Sequence, residues 1–303
     1  MKLKNRLVYI IAVLMTLPLV GTIAQAQTIT VLQRFDYPSN LNHHVAIAAT
    51  VPNKINDEGD TVGTVIDING KVQGFIYKFR TGKFSYPFSD PNGGDTQGQG
   101  INNLRHVCGE YLNASDYTFH GYLLKPPTFS DFDVAGAVDT FPLGINNSGS
   151  IVGTVTLPNG DQPAFASVMQ HVNTFAVPGA TATFACQLNA SNQILGYYTD
   201  ANGINHGYTR DSAGNLTFPI DVPGSTGTML LGNNDSNWGV GSYTDASEVT
   251  HGLYFITPDD ILTYDYPGAT FTSLTGINAI GIVCGYYIDA EGVSHGLVAQ
   301  VNP

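Results

Sequence analysis

The chain is predicted to be all-β: a six-bladed β-propeller of four-stranded antiparallel blades, its ring closed by an N-terminal strand that joins the C-terminal blade. Three observations predict this. One phrase recurs six times at a near-constant period, each repeat carries four strand signals, and the two chain ends supply complementary parts of one blade.

The phrase has the cores "KINDEGDTVG" (54–63), "GINNLRHVCG" (100–109), "GINNSGSIVG" (144–153), "QLNASNQILG" (187–196), "GNNDSNWGVG" (232–241) and "GINAIGIVCG" (276–285). The recurrent Asn stands at Asn56, Asn102, Asn146, Asn189, Asn234 and Asn278. The closing Gly stands at Gly63, Gly109, Gly153, Gly196, Gly241 and Gly285, a period of 43 to 46 residues. Self-similarity at this spacing marks propellers or solenoid arrays.

Within each repeat a short strand ends at the "GIN" element, where the Asn side chain is expected to bond nearby backbone and fix the turn that follows. A second strand such as "ILGYY" carries β-branched and aromatic residues, and its Gly is read as a close backbone approach or a bulge within that strand. A turn led by Asp, as in "DAEG", opens a third strand, "HGYT" or "HGLYF", and a polar turn precedes a fourth, "LTYDYP". Four antiparallel strands per repeat of this length describe a propeller blade.

The first 26 residues are set apart from the fold. Lys2, Lys4 and Arg6 form a basic stretch, Leu7 to Val20 an apolar core, and Ala24-Gln25-Ala26 a small-x-small cleavage site, the pattern of a secretory signal peptide. Residues 27–303 are then a single propeller domain, secreted or periplasmic, with no membrane attachment after cleavage. Its first strand, "ITVLQRFDYP", matches the fourth strand of a blade, while the last, "HGLVAQV", matches the third. Joining them hides two sheet edges that would otherwise invite aggregation.

The chain has 24 acidic and 12 basic residues, and losing the three leader bases takes the net charge from −12 to −15. Such a surface repels phosphate backbones and anionic lipid, which excludes nucleic acid as a general partner. Of the three cysteines, Cys108 and Cys284 share one place in two copies of the phrase and Cys186 lies elsewhere. Their odd count and apolar flanks predict small buried residues and no disulfide framework.

The "GIN-x-x-G-x-I-V-G … H-G-F" pattern resembles the HAF-type repeat of exported bacterial proteins. His-Ala-Phe there takes the place of His120-Gly121-Tyr122, His206-Gly207-Tyr208, His251-Gly252-Leu253 and His295-Gly296-Leu297. Pro163-Ala164-Phe165 and Gln73-Gly74-Phe75 depart at the His. The resemblance covers nearly all of residues 27–303 and implies export and a repeat fold; it lends no catalytic residues.

The six Asn could form a ligand ring at the propeller mouth, but a turn-fixing role needs only one per hairpin and is preferred. Asp67, Asp200, Asp245 and Asp289 stand four residues after the closing Gly, and four blades carry a His at the next strand. Each such pair lies across its own hairpin, so local structure is the preferred reading and a weakly held surface Ca²⁺ the alternative; no cofactor is expected. Function is therefore sought where the copies differ. The spacing from the Pro of "DYP", or its equivalent, to the start of "GIN" is 16 from Pro38, 13 from Pro87 and 9 in the other four repeats. His43, His44, Asp90 and Asp95 on these two longer loops are the candidate binding residues. The expected function is a monomeric, non-enzymatic binding or scaffolding module for a glycan or another extracellular protein. The alternative is a polysaccharide hydrolase or lyase using Asp90 and Asp95, which on one Gly-rich loop are poorly placed to face each other across a cleft.

Overall fold

Each repeat folds into one antiparallel sheet because its turns are written at matching places. A computed structural model describes residues 28–256 and 260–302; the leader of residues 1–26 lies outside them. The described strands form four-stranded antiparallel groups, three of them separate sheets and three joined into one twelve-stranded sheet by the single parallel pairs Ala49–Ser294 and Thr250–Phe271; the groups are numbered as blades in chain order. Blade one comprises Ile47–Ile55, Asp60–Asp67, Val72–Lys78 and Lys83–Phe84, and blade two Gly93–Ile101, Val107–Asn113, Phe119–Lys125 and Thr128–Asp131. Blade three comprises Asp139–Ile145, Ile151–Thr156, Ala164–Val168 and His171–Phe175, and blade four Ala182–Leu188, Ile194–Thr199, Asn205–Arg210 and Leu216–Ile220. Blade five is Gly227–Asn233, Gly239–Thr244, Thr250–Phe255 and Ile261–Tyr264. Blade six takes Phe271–Ile277, Ile282–Ile288 and Ser294–Asn302 from the end of the chain and Thr28–Phe35 from its beginning. No helix among the described residues is long and apolar enough to cross a membrane.

The recurrent Asn does two jobs. In five of the blades its Oδ1 accepts the N–H groups two and four residues on, as Asn146 does from Ser148 at 3.1 Å and Ser150 at 3.0 Å; Asn56 accepts from Asp60 at 2.9 Å. Its Nδ2 meanwhile donates to the neighbouring blade. Asn56 reaches the carbonyl of Asn102 at 3.1 Å, Asn102 that of Asn146 at 3.1 Å, and Asn146 that of Asn189 at 3.1 Å. Asn189 instead meets the Asn237 side chain at 3.0 Å, and Asn234 resumes the pattern with the Asn278 carbonyl at 3.0 Å. Asn278 then donates to the carbonyl of Asn56 at 3.2 Å, linking the last repeat to the first. The turn reading of the sequence is thus incomplete: one buried amide fixes its own hairpin and staples two blades.

Of the two readings of the closing Gly, close backbone approach holds and a bulge within its own strand does not. The bulge lies in the first strand, where the pairing slips between Pro142 and Gly144 of blade three and at the matching place in every other blade. The bulged strand pushes a carbonyl towards the second strand, so a Cβ on Gly153 would stand 1.9 Å from the Phe141 oxygen. Space for that carbonyl is what the glycine provides.

A third recurrent bond escaped the sequence reading. The backbone N–H of Tyr37, Asp90, Val134, Val177, Val222 and Tyr266 donates to the hydroxyl of Thr50, Thr96, Thr140, Thr183, Thr228 and Thr272, at 2.9 to 3.1 Å. This bond corrects the loop comparison. Asp90 is the counterpart of Val177 and Val222, so Pro91, not Pro87, is the counterpart of Pro178 and Pro223. Counted from Pro91, the blade-two loop has the common length, and only the loop after Pro38 is enlarged. The extra residues before Asp90 belong to the end of blade one, where a 3-10 turn, Phe79–Thr81, precedes a fourth strand of only two residues.

Candidate functional site

The second-to-third strand turn, the start of the third strand and the end of the fourth meet on one face of the propeller, and in four blades they build the same cluster. In blade six, His295 Nδ1 lies 2.7 Å from Asp36 Oδ1 and Nε2 lies 3.0 Å from Asp289 Oδ2. The matching trios are His120 with Asp133 and Asp116, His206 with Asp221 and Asp200, and His251 with Asp265 and Asp245. Each imidazole stacks on a tyrosine of the second strand, Tyr111, Tyr198, Tyr243 or Tyr287, with ring centroids 4.9 to 5.6 Å apart. At His120 and His295, where a carboxylate oxygen lies within hydrogen-bond distance of each nitrogen, the doubly protonated ring is the form that satisfies both. The turn aspartates Asp200, Asp245 and Asp289 are anticipated by the sequence, while Asp116, where Asn113 holds the expected place, and Asp36, Asp133, Asp221 and Asp265 are not. The signal for the last four was there: each directly precedes the Tyr or Val of the blade exit.

Charge follows this geometry. The bond to Asp133 is the main cause raising the His120 pKa above 6.5. For His251 and His295 burial opposes the charge most strongly, but the bonds and charges of the paired carboxylates together outweigh it and the pKa is again raised. The His295 bond and the Val293 N–H lower Asp289 below 3.8; the Thr118 N–H and hydroxyl lead the lowering of Asp116, and the Val249 N–H leads that of Asp245. The histidine contribution to stability is therefore complete below about pH 6.5 and is lost as pH rises through the raised folded values; the aspartate contribution is present above about pH 4 and is lost as pH falls through the depressed ones. His295→Gln is expected to lower the urea midpoint more at about pH 5.5 than at about pH 8.5. An equal loss at both would show that the imidazole acts without its charge.

Blade six departs from this shared pattern. Tyr266, from the connection entering the blade, stacks face to face on Tyr287 at 3.7 Å and 8°. The exposed Arg34 guanidinium lies beside the Tyr287 and Tyr266 hydroxyls, and their interaction with it, that of Tyr287 foremost, raises its pKa. In blade two the tyrosine hydroxyl instead donates to Asp131 at 3.2 Å, and blades four and five carry Pro219 and Thr263 two residues before their exit Asp. Arg34, Asp36, Tyr266, Tyr287, Asp289 and His295 line a surface cavity of about 630 Å³, a size that suits a small ligand. Its walls offer a stacked aromatic surface, one guanidinium and two carboxylates.

The residues singled out by loop length do not assemble there. His43 and His44 lie exposed in a turn with left-handed backbone, φ 50° and 65°. Asp90 is buried, its Oδ1 accepting from the Asn92 N–H at 2.8 Å. Asp95 Oδ1 accepts from the Val72 N–H at 3.3 Å. Both aspartates thus hold backbone, and neither they nor the two histidines line the blade-six cavity. Among the described residues, no group of three or more His, Cys, Asp and Glu side chains is arranged to hold a metal ion.

No protein-family model matches the chain, and no curated protein does; the likeness to HAF-type repeats rests on the motif alone. Solved structures do resemble it. A point mutant of the Aleuria aurantia lectin, in complex with Fucα1-6GlcNAc, superposes with a TM-score of 0.55 at 9% identity, covering 84% of this chain and 95% of the lectin. SapL1 lectin in complex with α-methyl fucoside gives 0.54 at 12% identity over 86% and 94%. The β-propeller domain of the Trilobed protease from Pyrococcus furiosus gives 0.51 at 8% identity over 85% and 97%. At these identities the likeness establishes the fold: this chain is built as a β-propeller.

Proposed function

We propose that the protein is an exported, closed six-bladed propeller that binds a saccharide, without turning it over, in the cavity of blade six. The observation that carries this reading is the combination that sets that blade apart, Arg34 and the Tyr266–Tyr287 stack added to the shared His–Asp–Asp cluster. A sugar presents apolar C–H faces that rest on aromatic rings and hydroxyls that bond to charged acceptors and donors. Both carboxylates of the cavity are bonded to His295, which favours fixed acceptors over a free acid/base pair. The propeller lectins among the structural neighbours, named as complexes with fucosides, support a glycan ligand.

A panel of mono- and oligosaccharides including α-methyl fucoside, read by calorimetry and by released reducing ends, tests the proposal. We expect binding without turnover, weakened about tenfold or more, about 1.4 kcal/mol, by Arg34→Met and by Tyr266→Val, the residue blades three to five carry at that place. Retention of full affinity by both folded variants would refute the assignment of the site.

A further inference from the structure

The axis of the propeller holds a second cavity, of about 260 Å³, separate from that of blade six. Its origin is in the repeat. The position that opens "GIN" is Gly in four blades, and there the first strands pack backbone to backbone: a Cβ on Gly276 would meet the Lys54 Cα at 3.0 Å, and one on Gly232 the Gly276 Cα at 3.0 Å. Blades one and four, opposite each other in chain order, instead carry Lys54 and Gln187. Lys54 is only 8% exposed and lines the cavity.

Among the described residues, no carboxylate answers this ammonium. The ionisable groups that act on Lys54 are the thiols of Cys186, Cys284 and Cys108, and burial pushes those thiols up to about 11, 11 and 12, so they are uncharged at neutral pH. Burial likewise lowers the Lys54 pKa. Glu110, itself raised to about 7 by burial, is bonded by Gln99 at 2.9 Å. A second polar group is also left over: Ser242 is fully buried, lines the cavity, and its Oγ has no partner. A buried ammonium without a counter-ion is costly, and so is an orphaned hydroxyl. The remaining wall is mainly apolar and aromatic, including Val51, Leu143, Met229, Leu231 and Phe271, with Asn53, Gln99, Ser273 and Thr275 as further polar residues.

We propose that the axial cavity binds a small organic monocarboxylate, its charge paired with Lys54, its second oxygen within reach of Ser242, and its apolar body against the leucines and Phe271. The ligand supplies the anion that the fold omits. Entry is from the face that carries the fourth-to-first strand connections, because the Asn staples link neighbouring blades in a ring around the axis beyond Lys54.

The test uses the purified protein with butyrate and benzoate as probes and benzyl alcohol as the uncharged control. Calorimetry should show one carboxylate per chain, with benzyl alcohol at least about tenfold weaker, and thermal melts should rise with benzoate. Lys54→Met should fold, shown by an unchanged far-ultraviolet spectrum and cooperative melt, and lose benzoate binding about tenfold or more; Ser242→Ala should weaken it by less. Failure of both carboxylates to bind, equal binding of benzyl alcohol, or full binding by folded Lys54→Met would each overturn the proposal. Should Lys54→Met not fold, Lys54→Gln, which keeps length and polarity without charge, gives the same comparison.

Discussion

Replacing Gly153 by Ala should destabilise the protein by about 3 kcal/mol, the upper end for overpacking a well-filled site, although it adds a single methyl group. The added Cβ would lie 1.9 Å from the Phe141 carbonyl oxygen and 2.7 Å from the Phe165 ring. Neither can retreat cheaply. The carbonyl is set by the bulge that the whole first strand shares, and Phe165 is fully buried in the blade-three core. Gly160→Ala is the control, since that glycine has φ 87° and open space around it; its cost should be only the left-handed backbone penalty, about 1–2 kcal/mol. Urea midpoints of the two variants decide the matter. If Gly153→Ala loses no more than Gly160→Ala, the bulge is soft and the close carbonyl does not require the recurrent glycine.

The repeat was legible because every blade must solve the same local problem. Asn146 and Gly153 sit where a turn and a bulge demand them, so chemistry and spacing coincide in the sequence. Blade two misled for a physical reason. Pro87 imitates the exit proline of other blades, while the true register is held by a backbone bond from Asp90 to the Thr96 hydroxyl, and a threonine six residues downstream is a quieter mark than a proline. The blade-six cavity was hidden by chain topology. Arg34 and Asp36 stand more than 250 residues from His295, and only the pairing of Thr28–Phe35 with Ser294–Asn302 brings them together. That pairing was itself predictable from the chain ends; what remained unread was that a donated strand brings side chains as well as hydrogen bonds. Lys54 was visible as a departure from Gly, but its meaning depends on the six positions converging on one axis.

The donated strand gives the second large effect. Thr28 pairs with Asn302 and Phe35 with Gly296, whose missing side chain makes room for the Phe35 ring. Phe35 stacks on Tyr77 at 4.1 Å, so the strand covers the core of blade one as well as completing blade six. Deleting residues 28–36 should abolish cooperative unfolding: loss of Phe35 alone is worth about 3–5 kcal/mol, comparable with the margin of a typical domain, and Ser294–Asn302 would become an open edge. The decisive companion is a circular permutant. Because Thr28 already faces Asn302, an Asn-Gly turn can join them as a two-residue hairpin, and the enlarged loop offers new ends between the exposed His43 and His44. This variant keeps every strand and changes only the order of the chain. It should melt cooperatively, close to the parent, while the deletion does not. A deletion variant as stable as the parent would mean that the first strand is an accessory rather than a required fourth strand of blade six, and the cavity containing Arg34 and Asp36 would lose its structural basis with it.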